Sequence, residues 1–295
     1  MTQRILITDI DNTLTNFVDY FSPCFRAMVH ALHSKTGICE DIIYDDYISV
    51  FQNHGSIEYT FATQELNCLQ SLSQSERDRL VYVTRVAFGQ AHKNRLKPYP
   101  EVKEFLGLLK ACGWDIYAVT NAPVYRAYLR LKVIGVDFFS GLSAWEGRDN
   151  ESLFTEENSD LQRKKQEALL RLEEKGIAVM GYQDNEIKPN SIMFEHVLEY
   201  VNEFYSGEKE FWALGDNILN DLSPCKKLGI KTVWAKYGSD ISPKELNTMM
   251  RITPWQRQHR EKNKLSMTEN HWDHSAERFR DLYSIFEIPY QESLL

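Results

Sequence analysis

Asp9 and Asp11 stand two residues apart at the end of Arg4-Ile5-Leu6-Ile7-Thr8, and the small polar residues Asn12, Thr13 and Thr15 come soon after. Carboxylates so placed suit a nucleophile with a general acid, or the grip of a hard cation, and they repel each other unless positive charge lies nearby. Two more acids, Asp216 and Asp221, follow Phe211-Trp212-Ala213-Leu214-Gly215. Thr120 and Asn121 end the run Trp114-Asp115-Ile116-Tyr117-Ala118-Val119 and offer a hydroxyl and an amide. Lys188, just before Pro189, supplies a cation ahead of a helix-like segment. Phosphoryl transfer requires an in-line nucleophile, an acid for the leaving oxygen and positive charge around the equatorial oxygens.

Each of the three runs that deliver these residues is short, apolar and rich in β-formers, as expected of buried strands. In open parallel α/β sheets ligands bind outside the carboxyl ends of the strands, where these side chains emerge. The pieces Asp9-x-Asp11-x-Thr13, a strand ending in Thr120, Lys188-Pro189 and Gly215-Asp216-x-x-x-x-Asp221 come in the order of the motifs of aspartate-nucleophile phosphohydrolases. The chain resembles the haloacid dehalogenase-like superfamily over residues 1–16 and about 98–240.

The resemblance implies an α/β fold, with a Rossmann-like three-layer core around a parallel sheet, plus an all-helical cap domain of the C1 type. It makes Asp9 the nucleophile that forms an aspartyl phosphate, and Asp11 the acid and base. It places Mg²⁺ on the side chains of Asp9 and Asp216 and the backbone carbonyl of Asp11, with Asp221 contributing indirectly, from behind those ligands or through water. Thr120 and the Asn121 backbone would donate to phosphate oxygens, and Lys188 would neutralise them. An acid at position 11 favours phosphate esters, because superfamily members that cleave carbon–halogen or phosphonate bonds generally lack one. The expected activity is a Mg²⁺-dependent phosphatase for a small phosphomonoester such as a nucleotide, glycolate or sugar phosphate. The alternatives are a sugar-phosphate phosphomutase and a non-catalytic regulatory or binding protein on the same fold.

Residues 17–97 change character. Phe17, Phe21, Phe25, Met28, Val29 and Leu32 recur at helical spacing, as do the apolar residues of Ser73 to Asn94, where Ser73 or Ser75 would cap. Asp45 to Phe51 and Ile57 to Leu69 read as shorter helices, so this block is the expected cap, with Asn53, His54, Tyr59, Gln64 and Arg85 as candidate specificity residues. Pro98 and Pro100 close it ahead of a helix at Glu101 to Ala111. The core then continues through a helix at about 124–134 and a short run at Phe138 to Leu142. Residues 147–182 read as a helical insertion, with a polar loop over 146–160 and a charged helix at Leu161 to Lys175. Its Lys164 and Lys165 compete with Lys188 but lack a following proline. Residues 241–295 read as a helical extension packed on the core through Phe279, Leu282, Tyr283 and Phe286. The pair His271 and His274 has a metal-compatible spacing on a helix, although a solvated role fits better without further ligands.

With 43% apolar and 26% charged residues, the 295-residue chain has the composition of a soluble globular protein large enough for one sizeable core and a smaller lobe. Its 34 basic and 42 acidic residues give a net charge of −8, which weighs against nucleic acid as a partner. Five scattered cysteines without a Cys-x-x-Cys pair point to reduced thiols. No apolar run suffices to span a bilayer. A cytoplasmic monomer or homodimer acting on a phosphorylated metabolite, with no membrane partner, is the expectation.

Overall fold

A computed structural model describes residues 2–59, 61–93, 95–147, 156–254 and 271–289, with only the backbone course for 156–161. Among the described residues the sheet has seven strands, β1 Gln3–Thr8, β2 Asp115–Pro123, β3 Gly141–Trp145, β4 Ala178–Tyr182, β5 Lys209–Gly215, β6 Lys231–Ala235 and β7 His274–Ala276. They lie in the order β4-β3-β2-β1-β5-β6-β7, and every pairing is parallel. The strand order reverses between β1 and β5, so the crevice beyond their carboxyl ends is the switch point where such sheets bind ligands.

Side chains alternate between the two faces with the two-residue period of a strand. Leu6, Ile116, Ala118, Trp212 and Leu214 enter one buried cluster, whereas Ile5, Ile7, Tyr117, Val119 and Ala213 enter another. The first is covered by α4 (Val102–Ala111) and α5 (Val124–Ile134) and the second by α7 (Ile192–Phe204) and α8 (Ser223–Lys227), which makes three layers. Each fully buried Ile or Leu here contributes about 1.5–3 kcal/mol.

A separate apolar cluster holds the helical block together. It comprises α1 (Phe17–Thr36), α2 (Glu40–His54) and α3 (Gln74–His92), with Phe17, Phe21 and Phe25 stacked along α1. Ser73 caps α3 in a reciprocal pair with Glu76, while Asn94, the expected end of that helix, lies outside the described residues. The expected helix over Ile57 to Leu69 is instead two 3₁₀ turns, Ala62–Glu65 and Asn67–Leu69. Leu66 between them is wholly buried, and its extended backbone, at φ −61° and ψ 126°, separates the two turns.

Two further expectations are corrected. Residues 147–182 are not wholly helical, because after α6 (Glu156–Glu174) the chain forms β4 against β3. The polar loop expected over 146–160 lies outside the described residues at 148–155. In the 241–295 extension, residues 255–270 and 290–295 also lie outside them. Within the described part, α9 (Pro243–Ile252) packs on the helical block rather than the core, through Met249 and Ile252. Arg26 of α1 bonds both oxygens of Glu245 on α9, at 2.6 and 2.9 Å. Beyond it β7 adds to the sheet, so His271 and His274 do not share a helix face. His271 Nδ1 lies 3.1 Å from Ser223 Oγ, and the His274 ring stacks on Trp212. The last helix among the described residues, α10 (Asp281–Ile285), does pack on the core, and Phe279, Tyr283 and Phe286 surround Phe105. All five cysteines are free. Among the described residues no helix is long and apolar enough to cross a membrane.

Candidate active site

The β1–β5 ladder extends one residue past β1, because Asp9 N–H donates to Leu214 O at 2.9 Å. This bond sets the Asp9 carboxylate beside the acids that follow β5. Asp9, Asp216 and Asp221 each present an oxygen within 4.8 Å of the others. Asp9 is 8% exposed and Asp221 4%. Gly215 permits this convergence, since a Cβ there would lie 2.4 Å from Asp221 Cβ. Asn12 turns the first loop in the left-handed region at φ 58°, where Asn is among the more tolerant residues.

Lys188 comes from the segment between β4 and α7. Its ammonium donates to Asp9 Oδ1 at 2.6 Å, Asp221 Oδ1 at 2.6 Å and Val119 O at 3.1 Å. These bonds satisfy its three donors, as the burial of a lysine only 6% exposed requires. Burial alone would lower the Lys188 pKa, but Asp221 and Asp9 together hold it well above the ordinary lysine value. The backbone is clasped as well: Asn121 Nδ2 donates to Lys188 O at 2.8 Å, and Lys188 N–H donates to Asn121 Oδ1 at 2.9 Å. Thr120, next to Asn121 in β2, is buried, and its Oγ1 accepts from Ala122 N–H at 3.1 Å. Lys164 and Lys165 belong to α6, away from these contacts.

One ammonium cannot balance three close carboxylates. Burial first, then the Asp9 and Asp221 charges, push Asp216 well above the ordinary carboxyl value. Burial raises Asp221 to about 6 against the pull of Lys188. An all-oxygen, electron-rich set with this deficit of positive charge is chemically suited to a hard divalent cation.

Asp11 does not join that group through its side chain. Its Oδ1 accepts from Arg130 Nε of α5 at 2.5 Å, and Arg130 Nη2 donates to Glu58 of the helical block at 2.9 Å. Burial, with Glu58 and Asp9 reinforcing it and Arg130 opposing, raises Asp11 to about 7. Asn217 caps the turn Ile218–Leu222, its side chain accepting from the Leu219 and Asn220 N–H groups.

The sequence reading missed Thr13, Arg130 and Glu58. Thr13 Oγ1 donates to Asp9 Oδ2 at 3.1 Å and accepts from Asp216 N–H at 3.1 Å, which ties the two strand ends together. Its place in the Asp9-x-Asp11-x-Thr13 motif was the available signal, whereas nothing local marks Arg130 or Glu58. Two adjoining cavities of about 360 and 290 Å³ share Glu58, Tyr59, Tyr125 and Arg126, and neither Lys188 nor any of the four aspartates lines them. Of the candidate specificity residues, Tyr59, Gln64 and Arg85 line the smaller one. His54 bonds Glu65 and stacks on Tyr59 at 3.6 Å.

Similar folds occur in a phosphatase from Thermococcus onnurineus, with 18% identity over 97% of this chain and 98% of that one and a TM-score of 0.53. A 2-haloacid dehalogenase from Pseudomonas syringae pv. Tomato DC3000 is 14% identical over 97% and 99%, with a TM-score of 0.55. A predicted phosphoglycolate phosphatase from Haemophilus somnus 129pt is 18% identical over 97% and 99%, with a TM-score of 0.50. No curated protein matches the chain. Residues 3–229 match the haloacid dehalogenase-like hydrolase family, to which the chain therefore belongs.

Proposed function

We propose that the protein is a Mg²⁺-dependent phosphatase that hydrolyses a small phosphomonoester, with the helical block acting as its cap. The observation that carries this reading is the Lys188 ammonium bridging Asp9 and Asp221 beside Asp216, at the switch point of the sheet.

Asp9 attacks phosphorus as the ester P–O bond breaks, and the Asp11 carboxyl gives its proton to the departing oxygen. Asp11 then takes a proton from water, whose oxygen attacks the aspartyl phosphate, breaking the bond to Asp9 and releasing phosphate. A carboxyl held at about 7 is poised for both proton transfers near neutral pH. Lys188 and Thr13 each hold one Asp9 oxygen and so fix the plane of the nucleophile. Asp9, Asp216, the Asp11 carbonyl and Asp221 would hold Mg²⁺, which draws charge from the phosphoryl oxygens when bound. Thr120 and the Asn121 backbone donate to those oxygens, and Lys188 offsets their charge. The acid at position 11 supports an ester substrate over a carbon–halogen one.

The test is Asp9→Asn assayed with p-nitrophenyl phosphate and Mg²⁺. Phosphate release is expected to vanish while circular dichroism stays native, and retained turnover would refute the assignment.

A further inference from the structure

Arg130 is an anomaly in its own helix. On α5 it shares a buried face with Ala127, Leu131 and Ile134, and its side chain is only 3% exposed. A guanidinium loses much hydration at such a place, and a buried ion pair is seldom worth more to stability than apolar packing of the same volume. Stability alone therefore does not account for it, and its contacts suggest another purpose.

The guanidinium holds two acids from separate parts of the molecule, Asp11 in the first loop and Glu58 in the segment between α2 and α3. The ring of Phe17, at the start of α1, lies 4.8 Å from it. Because the guanidinium is planar and rigid, holding Asp11 through Nε and Glu58 through Nη2 fixes one carboxylate relative to the other. Arg130 takes Oδ1 of Asp11 and leaves Oδ2 to carry a proton.

We propose that Arg130 is the positioning residue for Asp11 and that Glu58 anchors it, so the acid is correctly aimed only while the helical block is seated on the core. This rests on the acid role of Asp11 in the proposed reaction. The block thereby sets the direction of a proton donor as well as covering the site.

A nitrophenolate departs with little help from an acid, whereas an alkoxide needs its proton. The kcat/KM values of Arg130→Met, Arg130→Lys and Glu58→Gln are therefore compared on p-nitrophenyl phosphate and on 2-glycerol phosphate, with Asp11→Asn as the reference. Arg130→Met is expected to lose about tenfold more on the glycerol ester than on the nitrophenyl ester, with the sense of the Asp11→Asn effect. Glu58→Gln should show a smaller loss of the same sense, and lysine, lacking the fork, should restore little. Equal losses on both esters, or a faster Arg130→Met enzyme, would overturn the proposal. If Arg130→Met does not fold, the lysine and Glu58 variants decide by the same ratio. A crystal structure of Arg130→Lys gives an answer independent of turnover: a rotated Asp11 carboxyl supports the proposal, and an unmoved one overturns it. Loss of all activity in the unsubstituted protein would instead count against the phosphatase reading.

Discussion

The side-chain amide of Asn121 and the backbone of Lys188, 67 positions apart, exchange two hydrogen bonds. The amide thus fixes where the lysine leaves the main chain, and the ammonium reaches both Asp9 and Asp221 from there. Asn121→Ala removes both bonds and leaves a partly buried N–H and C=O to find new partners, at a cost of about 1–3 kcal/mol. A lower melting temperature is expected, with a loss of about 10- to 100-fold in kcat on p-nitrophenyl phosphate, by analogy with residues that orient metal ligands. An unchanged kcat would show that the clasp does not matter to the lysine.

Lys188→Met fills similar volume but leaves Asp9 and Asp221 buried without their shared cation. Breaking a buried pair from one side costs about 3–5 kcal/mol. Urea unfolding at neutral pH should show a loss of that order. A loss below about 1 kcal/mol would imply that water already screens these charges.

The titration of the acids gives a signed expectation. Asp11 and Asp221 are raised to about 7 and about 6 in the folded chain, from an ordinary value of 3.8. Between about pH 4 and pH 7 the folded state therefore binds more protons than the unfolded one, and these groups make metal-free protein less stable as pH rises. Mg²⁺ binds the deprotonated carboxylates and offsets that loss. Melting curves should show a larger Mg²⁺-induced rise at about pH 7.5 than at about pH 5.5, and the reverse order would count against binding at this cluster.

Gly215→Ala probes the closest approach in the site. With a Cβ 2.4 Å from that of Asp221, the turn Ile218–Leu222 must shift and carry Asp221 away from Lys188. Weaker Mg²⁺ stabilisation and reduced turnover are expected, and a variant with native values for both would mean the turn yields without cost.

Asp9, Asp216, Asp221 and Lys188 were legible in the chain because each sits just past a strand end or beside a proline, where sequence alone ties residue type to position. Arg130 and Glu58 were not, since their roles depend on contacts reaching across 119 and 72 positions. The strand β4 escaped notice because Ala178, Val179 and Met180 are only half-buried at the sheet edge and show weak alternation. β7 has three residues, too few for any period. The extended Leu66 was hidden for a related reason, as apolar residues continue at helical spacing around it and nothing in its residue type marks the break.

The family match stops at residue 229, yet the architecture around the acids does not. Trp234 Nε1 donates to Asp216 O, Tyr237 OH donates to Thr13 O, and a Cβ at Gly238 would lie 1.9 Å from Asn12 O. Trimming the gene to the recognised span would therefore keep every acid and the lysine while removing the buttress behind two of the loops that carry them. The shortest version worth expressing is longer than homology suggests.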